Sequence, residues 1–184
     1  VLFRSGAGEL RGFEERARYM IGIAESALAD VVPDPKEGFR RYIRREPLGT
    51  VLVVAPWNYP YLTAVNAIIP ALMAGNVALL KHASNVPRCA DAIGELLQAA
   101  GAPEGVLGVL HIDNEQAAQV LRDDRVVAVT LTGSERAGRS IAANAGEQIK
   151  KCVMELGGSD AFIVLEDADL DSTVDAAVRS RFDN

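Results

Sequence analysis

Cysteine and histidine are scarce in this 184-residue chain, with two of each, and there is a single tryptophan. Cys89 and Cys152 alone make no disulfide framework for a chain of this size, so a reducing compartment is the default and the cytoplasm is the expected location. His82 and His111 have no cluster of further ligating residues around them, so no metal centre is expected. Positive charge is in deficit: 19 Lys and Arg stand against 25 Asp and Glu, a formal net charge of −6 at pH 7. No long basic block overrides that balance, and a nucleic-acid partner is not expected. A long unbroken apolar helix is lacking too. Charge disappears from Pro47 to Leu80, but Pro56, Asn58, Pro60, Asn66, Pro70, Gly75 and Asn76 divide the stretch. No continuous apolar helix of about 20 residues survives, so no membrane partner is expected.

What is present, 49% apolar and 24% charged residues, is enough to pack one globular domain and excludes disorder. Val1 to Ser5 has no signal-peptide layout and is set aside from the fold. The chain starts on Val and stops at Asp183-Asn184 with no tail, which reads as a fragment.

From Glu9 to Asp30, Leu10, Phe13, Ala17, Met20, Ile21, Ala24 and Leu28 recur at helical steps among charged residues, predicting an amphipathic helix. Pro33 and Pro35 force a turn, and Arg40 to Glu46 alternates charge with Tyr42 and Ile43 as an exposed strand arm. Strand and helix then alternate. Strands are expected over Thr50–Ala55, Asn76–Lys81, Gly105–His111, Val126–Thr132, Ile149–Met154 and Ala161–Leu165. Helices are expected over Tyr61–Met73 with a break or kink at Pro70, Pro87–Ala100, a segment capped by Asn114 and ending at Leu121, Ser134–Ala145 and Leu170–Arg181. Val- and Leu-rich strands alternating with helices imply βαβ crossovers. The fold class is therefore α/β: a mainly parallel twisted sheet with helices on both faces, Rossmann-like, preceded by the N-terminal helix and arm.

In such sheets ligands bind beyond the carboxyl ends of the strands, so the residues there are the functional candidates. They are Pro56-Trp57-Asn58 after the first strand, Lys81-His82-Ala83-Ser84 after the second, Gly133-Ser134 after the fourth and Glu155-Leu156-Gly157-Gly158 after the fifth. Gly133-Ser134 enters a helix whose free N–H groups and dipole favour an anion, although such a pair also makes an ordinary turn with a serine cap. Lys81 ends an apolar strand, so its ammonium must reach solvent or a ligand oxygen. The Asn58 amide suits a developing oxyanion, or simply a turn. Glu155, before two glycines that tolerate positive φ and close approach, suits a general base or a solvated strand end.

In order and spacing, Pro47-Leu48-Gly49, Pro56-Trp57-Asn58, Ala74-Gly75-Asn76, Leu80-Lys81, Thr132-Gly133-Ser134-x-x-x-Gly138 and Glu155-Leu156-Gly157-Gly158 resemble the aldehyde dehydrogenase superfamily. Leu80-Lys81-His82-Ala83 and Lys150-Lys151-Cys152-Val153 are similar to bacterial succinate-semialdehyde dehydrogenases. The resemblance implies residues 1–46 as N-terminal helix and arm and residues 47–184 as an incomplete dinucleotide-binding domain. It implies a short aldehyde as substrate, NAD or NADP as cofactor, and a homo-oligomer associating through Arg40 to Glu46. Pro56, Trp57 and Asn58 would meet the nicotinamide end, with Asn58 also holding the aldehyde oxyanion. Lys81, His82, Ala83 and Ser84 would belong to the adenosine side, Gly133 and Ser134 to the pyrophosphate, and Leu156 to the nicotinamide. Glu155 would activate water to hydrolyse a cysteine thioester.

The nucleophile of that chemistry is missing. The family writes it within Asn-x-Gly-Gln-x-Cys, and Arg181-Phe182-Asp183-Asn184 resembles the opening of that motif. Cys89 and Cys152 read instead as buried packing residues. The chain alone is therefore expected to be inactive on aldehydes; a non-catalytic nucleotide-binding module or a structural protein is the other reading of the same fold. Ser84 stands where NAD-selective members commonly carry an acid, which predicts weak discrimination against NADP. The Asp167, Asp169 and Asp171 spacing opens like a calcium loop, but Ser172 and Val178 occupy positions that loop needs as Gly and Glu.

Overall fold

Strands buried on both faces must be apolar along their whole length, and the Val/Leu runs at residues 50–55, 77–82 and 126–133 form the centre of such a sheet. The computed structural model describes residues 2–182. In chain order the elements are α1 (Leu2–Leu28), β1 (Thr50–Ala55), α2 (Pro60–Met73), β2 (Val77–His82), α3 (Pro87–Ala99), β3 (Leu107–Val109), α4 (Asn114–Arg122), β4 (Val126–Gly133), α5 (Glu135–Glu147), β5 (Lys151–Leu156) and α6 (Leu170–Phe182). The five strands are parallel in the order β3-β2-β1-β4-β5. Helices cover both faces. Val53, Ala55, Ala78 and Leu80 pack against Ala64 and Ile68 of α2 and Ala90 and Ile93 of α3. On the other face Leu52, Val129 and Leu131 pack against Leu121 of α4 and Ile141 and Ala145 of α5. Among the described residues no helix is long and apolar enough to cross a membrane.

Several motif residues hold the amino ends of the strands, away from the candidate site. Asn76 Oδ1 accepts hydrogen bonds from Leu48 N–H (2.6 Å) and Gly49 N–H (3.1 Å), tying Pro47-Leu48-Gly49 to Ala74-Gly75-Asn76. Gly75 ends the turn after α2 at φ +79°, and a Cβ there would stand 2.8 Å from Pro47 Cγ. A side chain at that position would meet both strain and a clash.

The structure differs from the sequence reading where partners are lacking or better ones exist. Arg40 to Glu46 is not a strand: only Val31 and Ile43 exchange backbone hydrogen bonds, as an isolated bridge. Ala161–Leu165 also finds no neighbouring strand and stays irregular and exposed. α2 runs through Pro70 to Met73. α4 is capped by Asp113 rather than Asn114: its side chain accepts from Gln116 N–H while Gln116 Oε1 accepts from Asp113 N–H, a reciprocal capping box that an asparagine one residue later cannot form. Ile149 takes φ 52° and lies outside β5. Cys152 is exposed rather than buried, on a strand whose side chains are exposed but for half-buried Met154, and Cys89 is half-buried.

His82, only 6% exposed, has both ring nitrogens committed to backbone. Nδ1 accepts from Ala83 N–H at 2.9 Å, which leaves Nε2–H to donate to Pro60 O at 2.9 Å. Burial holds its pKa below the ordinary histidine value, outweighing the Pro60 hydrogen bond that raises it. A depressed folded pKa gives stability that is present above the unfolded value of about 6.5 and is lost as pH falls through the folded value. Urea midpoints should therefore drop from pH 7.5 to pH 5 more steeply for the natural protein than for His82→Asn; parallel profiles would remove His82 as the cause.

Candidate cofactor and catalytic site

The chain leaves β1 toward one face of the sheet and β4 toward the other, so a crevice opens where their carboxyl ends diverge. Pro56, Trp57 and Asn58 follow β1 there, Thr132, Gly133 and Ser134 end β4, and Glu155, Leu156 and Gly157 end β5. Together they line one open hollow of about 490 Å³. Trp57 is 53% exposed, Asn58 half-buried and Glu155 exposed. Strand register explains why the asparagine and the acid share this hollow. Val53, which faces α2, pairs with Thr130, Thr130 with Val153, and Thr132 with Glu155. Alternation then sends Glu155 out on the α2 side, where Asn58 leads into that helix. β5 continues through Glu155 to Leu156, so the acid is held by a strand rather than carried on a loop. Gly157 and Gly158 take no positive φ, and a Cβ at either would meet nothing within 4 Å among the described residues.

On the opposite face a narrower slot of about 260 Å³ lies between α4, α5 and the sheet. Val54, Ala117, Leu131, Ala137 and Ile141 form its apolar walls, with Lys81, Asn114, Ser134, Arg136 and Ser140 as its polar groups. Lys81 is only 8% exposed, and its ammonium donates to Asn114 Oδ1 at 3.3 Å. Burial lowers its pKa, partly offset by the Asp113 carboxylate. One long hydrogen bond leaves most of a three-donor group to be satisfied, which suits hydroxyl or phosphate oxygens of a ligand. Ser134 lines both slot and hollow. It caps α5, its Oγ accepting from Ala137 N–H at 3.3 Å, and the remaining first-turn N–H groups with the helix dipole make the junction favourable for an anion. Gly138 is required by packing: a Cβ there would stand 2.5 Å from Leu156 Cδ2, so the glycine lets the end of β5 close against α5.

A dinucleotide fits this donor set, with apolar walls for a base, a buried ammonium for ribose oxygens and a helix N-terminus for phosphate. Of the four residues from Lys81 to Ser84, only Lys81 faces the slot. His82 is turned to the other face, and with Ala83 and Ser84 lines a separate shallow hollow shared with His111 and Asp113. Sequence reasoning missed Asn114, Arg136 and Thr132. Asn114 was detectable: β3 neighbours β2, so the helix that follows β3 must start beside the end of β2, where Lys81 sits.

The aldehyde dehydrogenase family profile matches residues 2–184. A probable succinate-semialdehyde dehydrogenase (NADP+) of Synechocystis is 53% identical over 169 residues, 91% of this chain and 37% of that protein. An Escherichia coli succinate semialdehyde dehydrogenase (NAD(P)+) is 48% identical over 158 residues, 86% of this chain and 34% of that protein. The crystal structure of succinic semialdehyde dehydrogenase from Streptococcus pyogenes in complex with NADP+ superposes with a TM-score of 0.86 at 41% identity, covering 92% of this chain and 37% of that one. The chain spans little more than a third of the length of these relatives.

Proposed function

The chain belongs to the aldehyde dehydrogenase family, and on that premise we propose that it is the cofactor-binding portion of a cytoplasmic enzyme that oxidises a short semialdehyde, such as succinate semialdehyde, with NAD or NADP. Residues 47–184 are the dinucleotide-binding unit and residues 1–46 the appended helix and arm, with Arg40 to Glu46 the segment through which the full-length protein self-associates. The observation that carries the reading is that Asn58 and Glu155 line one hollow, joined through Ser134 to a slot holding a buried lysine.

In this reading the bound nicotinamide supplies the hydride acceptor. Lys81 and Asn114 would hold its adenosine ribose, and Ser84, in the separate hollow with His82 and Ala83, brings no carboxylate of its own to repel a 2′-phosphate. Gly133, Ser134 and the start of α5 receive the pyrophosphate, while Pro56, Trp57 and Leu156 border the reactive end. Asn58 donates its amide to the aldehyde oxygen as negative charge develops there. Glu155 takes a proton from the water that releases the acid. The cysteine that this chemistry requires is not among the residues lining the hollow; Asp183 and Asn184, which resemble the opening of its motif, lie outside the described residues. Exposed Cys152 precedes Glu155 on the strand and projects to the opposite face, so it does not share the hollow with Asn58.

The test is steady-state oxidation of succinate semialdehyde by the full-length protein with each cofactor. Turnover with both, at comparable specificity constants, is expected. The absence of turnover with any short semialdehyde would overturn the activity, and a very large preference for NAD would overturn the role given to Ser84.

A further inference from the structure

The helix that follows Asn58 is not capped by its own sequence. Position 59, its N-cap, is a tyrosine that makes no side-chain capping hydrogen bond, and position 60 is a proline with no N–H. The first free N–H groups of α2, those of Tyr61 and Leu62, donate instead to Glu9 Oε2 of α1, at 2.9 and 3.3 Å. That carboxylate comes from 52 residues upstream and is only 4% exposed. Its Oε1 is buried without a hydrogen-bond partner, and among the described residues no ion pair involves Glu9. Two N–H groups and the helix dipole favour the acid, but burying it with one oxygen unpartnered is costly. A serine or aspartate at position 59 would cap α2 at less cost. What a local cap cannot do is fix α2 relative to α1, and the contacts around Glu9 serve that purpose: Phe13 stands edge-on to Tyr61 at 6.4 Å, and Gly12 leaves room for Leu62.

The segment from Pro56 to Tyr59, which carries Asn58, hangs between the end of β1 and this clamped helix start. A second clamp acts from the sheet, where His82 Nε2–H holds the Pro60 carbonyl. We propose that Glu9 is a positioning residue for Asn58: by capping α2 from α1 it sets where the Asn58 amide points in the hollow. The proposal rests on the reading that Asn58 serves as an oxyanion donor. A misplacement of about 1 Å is enough to cost roughly 100-fold in rate, so the effect is measurable.

The experiment uses the full-length enzyme with Glu9→Gln and Glu9→Ala, each made alone and together with Asn58→Ala. We expect kcat to fall about 10- to 100-fold in Glu9→Ala, less in Glu9→Gln, whose carbonyl still accepts from N–H, with cofactor Kd unchanged. In the Asn58→Ala background the same changes should be nearly silent. Amide exchange followed by mass spectrometry gives a readout independent of activity. Peptides covering residues 56–62 should exchange roughly fivefold faster in Glu9→Gln, with β1 and β2 unaltered. Equal losses with and without Asn58, or a loss confined to cofactor affinity, would overturn the proposal. Unchanged exchange over 56–62 would do the same. Should Glu9→Ala fail to fold, the Glu9→Gln cycle and its exchange decide. If the natural enzyme oxidised no aldehyde, the functional reading would fall, while the exchange measurement would still judge the clamp.

Discussion

In the full-length enzyme, Glu155→Gln should leave a burst of reduced cofactor of about one equivalent per site while steady-state turnover falls roughly 10²- to 10⁴-fold. Glutamine keeps the size of the side chain and loses only the capacity to take a proton. Thr132 and Glu155 are register partners at the ends of β4 and β5, so the substitution leaves the backbone that carries it in place. With the acid in its proposed role, serving release rather than the first chemical step, the first turnover should survive and the second should stall. Rapid-quench or stopped-flow detection of the burst is the check; a burst that shrinks in proportion to turnover would assign Glu155 to an earlier step.

Asn58→Ala should produce the opposite pattern. Removing one donor to a developing oxyanion costs about 10²- to 10³-fold in kcat, and the loss should appear in the burst rate itself, with cofactor Kd unchanged. Asn58 lies in the hollow on the α2 side, and Lys81 in the slot on the far face of the sheet. The asparagine can therefore be removed without touching the slot proposed to hold the adenosine ribose. A normal burst followed by slow turnover would show that Asn58 acts on release and not on the carbonyl.

Much of this arrangement was legible in the sequence because it follows from local rules. Val/Leu strands alternating with helices fix a doubly covered parallel sheet, and the sheet places Asn58, Lys81, Ser134 and Glu155 at its carboxyl end before any coordinate is known. Less legible was what depends on a partner far away in the chain. Arg40 to Glu46 alternates like a strand, yet alternation cannot supply a neighbour, and only Ile43 finds a bridging partner. Ala161–Leu165 failed for the same reason. Asn114 suits a cap by its type, yet the reciprocal bonds of Asp113 and Gln116 win that role and leave Asn114 to Lys81. Glu9 looked like one more polar residue on an amphipathic helix. Its role depends on where α2 begins in space, which no periodicity of α1 encodes.

The last two residues of β2 point in opposite directions, Lys81 into the slot on the α4 and α5 side and His82 toward the loop that carries Asn58. A slip of one residue in strand pairing exchanges the faces to which every side chain of a strand projects. Inserting or deleting a single residue within β2 would therefore send an imidazole where the ammonium belongs and an ammonium under the loop that carries Asn58, even if the apolar pattern still allowed the sheet to form. Tolerance to length changes in β2 should be set by chemistry rather than by folding: such variants should retain strand content while losing cofactor affinity and turnover together.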